Sequence, residues 1–381
     1  MTRTACRISL PGRSAPLEIT APSWAAGYRP PSSRRVYAAA HVAAAGHDTI
    51  DWESTLRFRD HLWAHGFGVA EAMDTAQRGM GLSWEQAREL IARSAERAAA
   101  RGAAGHPAAI ACGAGTDQLA GGEAHSLSQI TGAYAGQLEF VQSSGAGVIL
   151  MASRALAAAA RGPRDYLDVY GALLKQADKP VILHWLGEAF DPALRGYWGG
   201  GDFETAAATV LDLIDSHGDK VDGIKLSVLD AGREIALRRR LPAGIRLYTG
   251  DDFGYADLIR GDGDGHSDAL LGAFAAVTAP AAAALHALDA GDLPGYDAAI
   301  GPTVPLSRLI FEAPTYYYKT GVAFLAWVNG LQPHFAMLAG LERKRTAGHL
   351  IRVFELAAAA GALADPGLAA GRMTEFLGAQ S

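Results

Sequence analysis

Val221-Asp-Gly-Ile-Lys-Leu-Ser-Val-Leu229 is a short apolar run interrupted by one lysine, Lys225. Its length and composition fit a strand buried on both faces, the kind found in parallel sheets. A cation in such a strand is costly. Lowering a lysine pKa by about 3 units costs about 4 kcal/mol. Desolvation does this and leaves a neutral amine able to attack a carbonyl. The segment alone leaves two readings open: an amine poised to form a Schiff base, or a lysine at a strand end whose head reaches water.

The segments on either side repeat the pattern. Apolar strands are expected at 35–41, 68–73, 108–113, 147–151, 179–184, 244–249 and 272–278. Helical periodicity fills most of the intervals, with Leu56, Leu62 and Trp63 on one face of a helix over 51–65. Ser83 with Gln86 fits a capping box, and Asp202 suits an N-cap. Eight such units point to a closed α/β barrel, the (β/α)8 or TIM fold, over residues 34–280. An open doubly wound sheet would carry a Gly-x-Gly-x-x-Gly turn after its first strand, and none stands there. Residues 1–33, rich in Pro, Ser and Arg, read as an N-terminal extension with a strand or hairpin. Residues 281–381 read as a C-terminal helical extension, with helices over 281–291, 295–312, 317–340, 345–361 and 366–378. The apolar stretch 317–340 is expected to face another helix or another subunit, so a homo-oligomer is expected.

The chain has 381 residues and a net charge of −6, from 34 basic and 40 acidic side chains. No basic tract stands out, so nucleic acid and anionic membrane surfaces are excluded as expected partners. No stretch of about 18 apolar residues is free of charges and turns. Cys6 and Cys112 are far apart, and Cys112 in its strand reads as a buried reduced thiol. A reducing cytoplasm is the expected location.

Barrel chemistry collects at the C-terminal ends of strands. Read together, those ends are Pro180-Val-Ile-Leu-His-Trp-Leu-Gly187, Asp222-Gly-Ile-Lys-Leu-Ser227 and Leu247-Tyr-Thr-Gly-Asp-Asp252. The series resembles a divergent member of the dihydrodipicolinate synthase and N-acetylneuraminate lyase family, the class I pyruvate-type aldolases. The resemblance implies that Lys225 is the imine-forming lysine and that no cofactor is needed beyond that covalent imine. It also implies a small-molecule keto acid or keto sugar as partner. His184 stands where the family has an aromatic or polar residue, and suits either a proton relay or a hydrogen-bonded place in the barrel mouth. The family's carboxylate-binding threonines leave Thr75 as their counterpart. Its tyrosine after strand four is replaced by Ala152-Ser-Arg154. Arg154 suits either an anion grip or a surface place opening the next helix.

The synthases' arginine after strand five has Glu188 in its neighbourhood. Glu188, His41, Glu71 and Asp251 offer acceptors to hydroxyls, so a sugar-derived substrate in carbohydrate catabolism is expected. The expected reaction is retro-aldol cleavage or dehydration through a Schiff base. Two other readings stand beside it. His41, Glu71, His184 and Asp251 could hold a divalent metal in a sugar isomerase or class II-type aldolase. The chain could also be a non-catalytic ligand-binding protein on an aldolase scaffold.

Overall fold

The computed structural model describes residues 5–74 and 77–379. They form two compact units. One comprises Arg34–Ala39 and Gly68–Leu271; the other comprises Met1–Ser33, Ala40–Phe67 and Gly272–Ser381. An antiparallel hairpin, β1 (Ala5–Ile8) and β2 (Leu17–Thr20), opens the second of these, and α1 (Trp52–Ala64) also belongs to it.

The first unit is a closed barrel of parallel strands. Its strands are β3 (Val36–Ala39), β4 (Gly68–Glu71), β5 (Ile110–Ala114), β6 (Gly147–Leu150), β7 (Val181–Leu186), β8 (Val221–Ser227), β9 (Arg246–Thr249) and β10 (Asp268–Leu271). They pair in sequence order, and β10 closes the ring on β3. The helices of this unit are α2 (Trp84–Ala103), α3 (Leu127–Ser143), α4 (Arg154–Ala159), α5 (Pro163–Gln176), α6 (Phe203–His217), α7 (Ala231–Arg238) and α8 (Tyr255–Arg260). Ser83 opens α2 with a capping box, Gln86 answering it, and Asp202 caps α6 by accepting from Thr205 N.

Strand side chains alternate between the two faces of a sheet. One set, with Ala39, Ala70, Ala111, Ile149, Ile182, Tyr248 and Leu270, fills the barrel, and Met73 and Met151 join it at the C-terminal end. One glycine helps make this filling possible. A Cβ on Gly223 would lie 2.5 Å from the Arg246 carbonyl oxygen and 2.9 Å from the Tyr248 ring. The Gly-Ile-Lys glycine therefore makes room for Tyr248, whose hydroxyl donates to Asp222 at 2.5 Å.

The eighth strand corrects the sequence reading. It is Asp268–Leu271, not 272–278. Gly272 already has right-handed helical angles, and Ala273–Ala275 form a 3-10 turn leading into α9 (Thr278–Asp289). The apolar run stays buried after the strand has ended, so hydrophobicity alone overruns it.

The second unit continues with α10 (Leu293–Ile300), α11 (Thr303–Ile310), α12 (Lys319–Val328), α13 (Ala347–Ala359) and α14 (Pro366–Gly378). Gly301-Pro302 divides the helix expected over 295–312. The helix expected over 317–340 ends at Val328, where Asn329 caps it and Gly330 takes a φ of +73°. Every residue of α12 is buried, and the helix packs on α11, α13 and α14 of its own unit. Its apolar character is thus accounted for without a second subunit. Among the described residues no helix is long and apolar enough to cross a membrane.

Candidate active site

Lys225 belongs to the inward-facing set of β8 and is 6% exposed. Its Nζ lies 4.0 Å from Met73 Sδ. The second motif glycine explains how the stem fits: a Cβ on Gly250 would sit 2.9 Å from Lys225 Cε and 2.1 Å from Ser227 Oγ. The glycine of Gly250-Asp-Asp252 therefore leaves a channel along β9 in which the lysine stem lies.

His184 pairs in register with Lys225 across β7 and β8. Its Nε2 is 3.3 Å from Ser227 Oγ, while its buried Nδ1 has no hydrogen-bond partner among the described residues. Burial, and secondly the charge of Lys225, hold its pKa well below the usual imidazole value. The ring is therefore neutral near pH 7. Ser227 was not singled out in the sequence. Its place two residues after Lys225, on the same strand face, is the signal that identifies it.

The other expected site residues lie elsewhere. Glu71 alternates with the inward Ala70, so it faces away from the barrel interior and toward α2. It accepts from Ser94 Oγ at 2.7 Å and from Ala72 N at 3.0 Å. Asp251 folds onto its own turn, accepting from Phe253 N at 2.8 Å and Gly254 N at 3.0 Å. Glu188 is exposed and ion-paired with Arg195 at 2.5 Å. His41 belongs to the other unit, buried edge-on against Phe58, with Nε2 2.6 Å from Gln332 Oε1. Burial lowers its pKa to about 3. Thr75 lies outside the described residues. His41, Glu71, His184 and Asp251 thus each have a separate setting. Among the described residues no three His, Cys, Asp or Glu side chains form a metal-holding group.

Arg154 is the first residue of α4. Its Nε donates to the buried Asp191 at 2.6 Å, and its side chain is half exposed. It lines a cavity of about 770 Å3 over the C-terminal ends of β5 and β6, together with Arg78, Thr116, Asp117, Met151 and Ser153. Met151 belongs both to this cavity's lining and to the interior cluster that includes Met73, the neighbour of the Lys225 amine.

Two supports of this cavity escape sequence reading. Arg78 is buried and donates to the carbonyls of Ala72 at 3.1 Å and Gly113 at 2.9 Å, to Gln137 at 2.6 Å, and to both oxygens of Asp117. It ties the segment after β4 to the end of β5. The second support is Tyr197, from the Gly-rich segment after β7. Its hydroxyl accepts from Ser153 N and lies 2.9 Å from the Tyr170 hydroxyl. Burial raises both phenols well above their ordinary pKa, so they remain protonated. Ser153 Oγ in turn lies 2.6 Å from Thr116 Oγ1. Where the resembled family has a tyrosine, this chain presents a serine–threonine hydroxyl pair backed by tyrosines.

Comparison with known proteins supports the same architecture. Residues 12–381 match a family described as "Protein of unknown function (DUF993)". No curated protein matches the chain. A prophage protein of E. coli K12 belonging to the dihydrodipicolinic acid synthase family, solved in complex with pyruvate, superposes with a TM-score of 0.66. It is 13% identical and covers 85% of this chain and 98% of its own. Dihydrodipicolinate synthase from Bacillus anthracis gives a TM-score of 0.64 at 16% identity, covering 85% of this chain and 97% of its own. A putative dihydrodipicolinate synthetase from Pseudomonas aeruginosa gives 0.63 at 16% identity, covering 87% and 99%. At these identities the likeness shows the fold.

Proposed function

The chain belongs to that family, a protein of unknown function (DUF993) by description, and from the geometry of its barrel we propose a lysine-dependent lyase acting on a keto acid. The carrying observation is the Lys225 amine: enclosed in the barrel, accommodated by Gly250, and in register with a neutral His184. The likeness to a fold solved with pyruvate adds support.

In this reading neutral Lys225 attacks the ketone carbon of the substrate and water leaves, giving an iminium. The iminium accepts the electron pair of the bond broken next. In retro-aldol cleavage that is the C3–C4 bond, and the C4 hydroxyl loses its proton to His184 as the aldehyde departs. In dehydration C3 loses a proton to His184, and the resulting enamine expels the C4 hydroxyl, which takes up that proton and leaves as water. After cleavage the enamine is protonated, and in either case hydrolysis of the iminium returns the amine. Arg154, aimed by Asp191, grips an anionic group of the substrate. The acceptors that favoured a polyhydroxylated substrate do not gather here, since Glu188, Glu71 and Asp251 are each engaged elsewhere. The reading therefore keeps the keto acid and drops the sugar.

Borohydride reduction in the presence of pyruvate or longer 2-keto acids is the test. Intact mass should rise by one reduced adduct, mapped to Lys225. Lys225→Met should take no adduct and lose on the order of 10³-fold or more in turnover while remaining folded. Absence of an adduct with every keto acid and keto sugar tried, or an adduct at another lysine, rules the reading out.

A further inference from the structure

We infer that the part of the substrate distal to its keto group is an apolar body, an alkyl chain or an aryl ring, rather than a polyol. This rests on the lyase reading for the keto head, but its evidence is the cavity over β5 and β6. At about 770 Å3 the cavity lies in the range, roughly 300–1,000 Å3, that holds a drug-sized ligand. A three-carbon keto acid leaves most of it empty.

One face of its lining is apolar, with Leu119, Ala152, Ala155, Ala158, Ala159 and Ala193. No side chain in this set can donate or accept a hydrogen bond. Hydroxyls of a polyol laid against this face would lose water without a side-chain replacement, which is unfavourable; an alkyl or aryl body meets no such cost.

Seven lining side chains are polar, and most of them are engaged within the protein. Arg78 directs its donors to Asp117, Gln137 and two carbonyls. Thr116 and Ser153 bond each other, and His125 is 3.0 Å from the Ala120 carbonyl. Glu123 lies on the exposed lip. Arg154 differs. Its Nε is held by Asp191, while Nη1 and Nη2 take no hydrogen-bond partner among the described residues. Its Nη1 lies 3.1 Å from the place a Cβ would occupy on Gly79, so the guanidinium reaches across to the segment after β4. The ligand these surfaces describe is amphiphilic, with an apolar body along the alanine wall and a carboxylate on Arg154.

Binding of two carboxylates to the full-length protein tests this without any covalent step. The probes are 4-phenylbutyrate and gluconate, followed by calorimetry. Phenylbutyrate should bind at least about tenfold more tightly than gluconate, a difference of about 1.4 kcal/mol. Arg154→Gln should weaken phenylbutyrate by about tenfold, the scale of one charge-assisted hydrogen bond. Ala155→Leu, a half-buried position where folding is undemanding, should weaken it by filling the wall. Equal or tighter gluconate binding overturns the inference, as does phenylbutyrate binding that Ala155→Leu leaves unchanged, or no binding of either. Pyruvate trapping by borohydride, run in parallel, tells this failure from that of the lyase reading: an adduct at Lys225 with no preference for the apolar probe sinks the inference alone.

Discussion

At the scale of single residues, the two motif glycines have separate duties. Gly250 leaves room for the Lys225 stem, and Gly223 leaves room for the Tyr248 ring. Both substitutions to alanine also press on a backbone carbonyl, of Leu226 at 2.8 Å and Arg246 at 2.5 Å respectively, and a carbonyl cannot rotate away as a side chain can. Each should therefore lower stability by about 1–3 kcal/mol, measured by urea unfolding. Only Gly250→Ala should also slow borohydride trapping of pyruvate at Lys225. Equal trapping by the two variants would show that Gly250 does not shape the lysine's channel. The order of Gly-Ile-Lys and Gly-Asp-Asp was legible in the sequence. The reason for the glycines was not, because each one's neighbours lie on the adjacent strand, about 25 residues away in the chain. Arg78 was illegible for a related reason: an arginine in a polar segment reads as solvated until its acceptors, brought in by other strands, are known.

At the scale of elements, α7 is fastened to the strands beside it by one buried carboxyl. Glu234 accepts from Thr249 Oγ1 at 2.9 Å and from Ser267 Oγ at 2.7 Å. Burial is the main cause that raises its pKa to about 8, against an ordinary 4.5. Between about pH 4.5 and 8 the unfolded chain has released this proton and the folded chain retains it. Fewer protons are bound unfolded than folded, so stability falls as pH rises through that window. The loss from this group is on the order of a few kcal/mol. Glu234→Gln, which is neutral throughout, should flatten the decline. Melting temperatures of both proteins from pH 5 to 8.5 test it, and parallel curves would refute it. Among the elements themselves, long periodic helices and their caps were readable because capping chemistry is local. The eighth strand was displaced because a strand of four residues continues into a turn that is equally apolar. The helix at 317–340 was overextended for the same reason, until Asn329 and Gly330 end it.

At the scale of the molecule, the barrel was legible because each strand announces itself in its own short window. The second compact unit was not, since it gathers three separated stretches of chain, and no window spans them. Trp24 Nε1 donates to the Gly361 carbonyl at 2.7 Å, and Asp289 accepts from the backbone of Ser32 and Ser33 at 2.8 and 2.9 Å. Strand β1 and helix α14, from opposite ends of the sequence, are packing neighbours within this unit. That proximity makes the polypeptide a candidate for circular permutation: a linker from the end of α14 to the start of β1, with new ends opened at the exposed Gly121-Gly122, would leave both units' internal packing in place. The permutant should be expressed in soluble form with an unchanged far-ultraviolet circular dichroism spectrum. It would also turn the scattered unit into two stretches of chain, one running from helix α9 through α14 and the linker to the β1–β2 hairpin and Ser33, the other carrying α1.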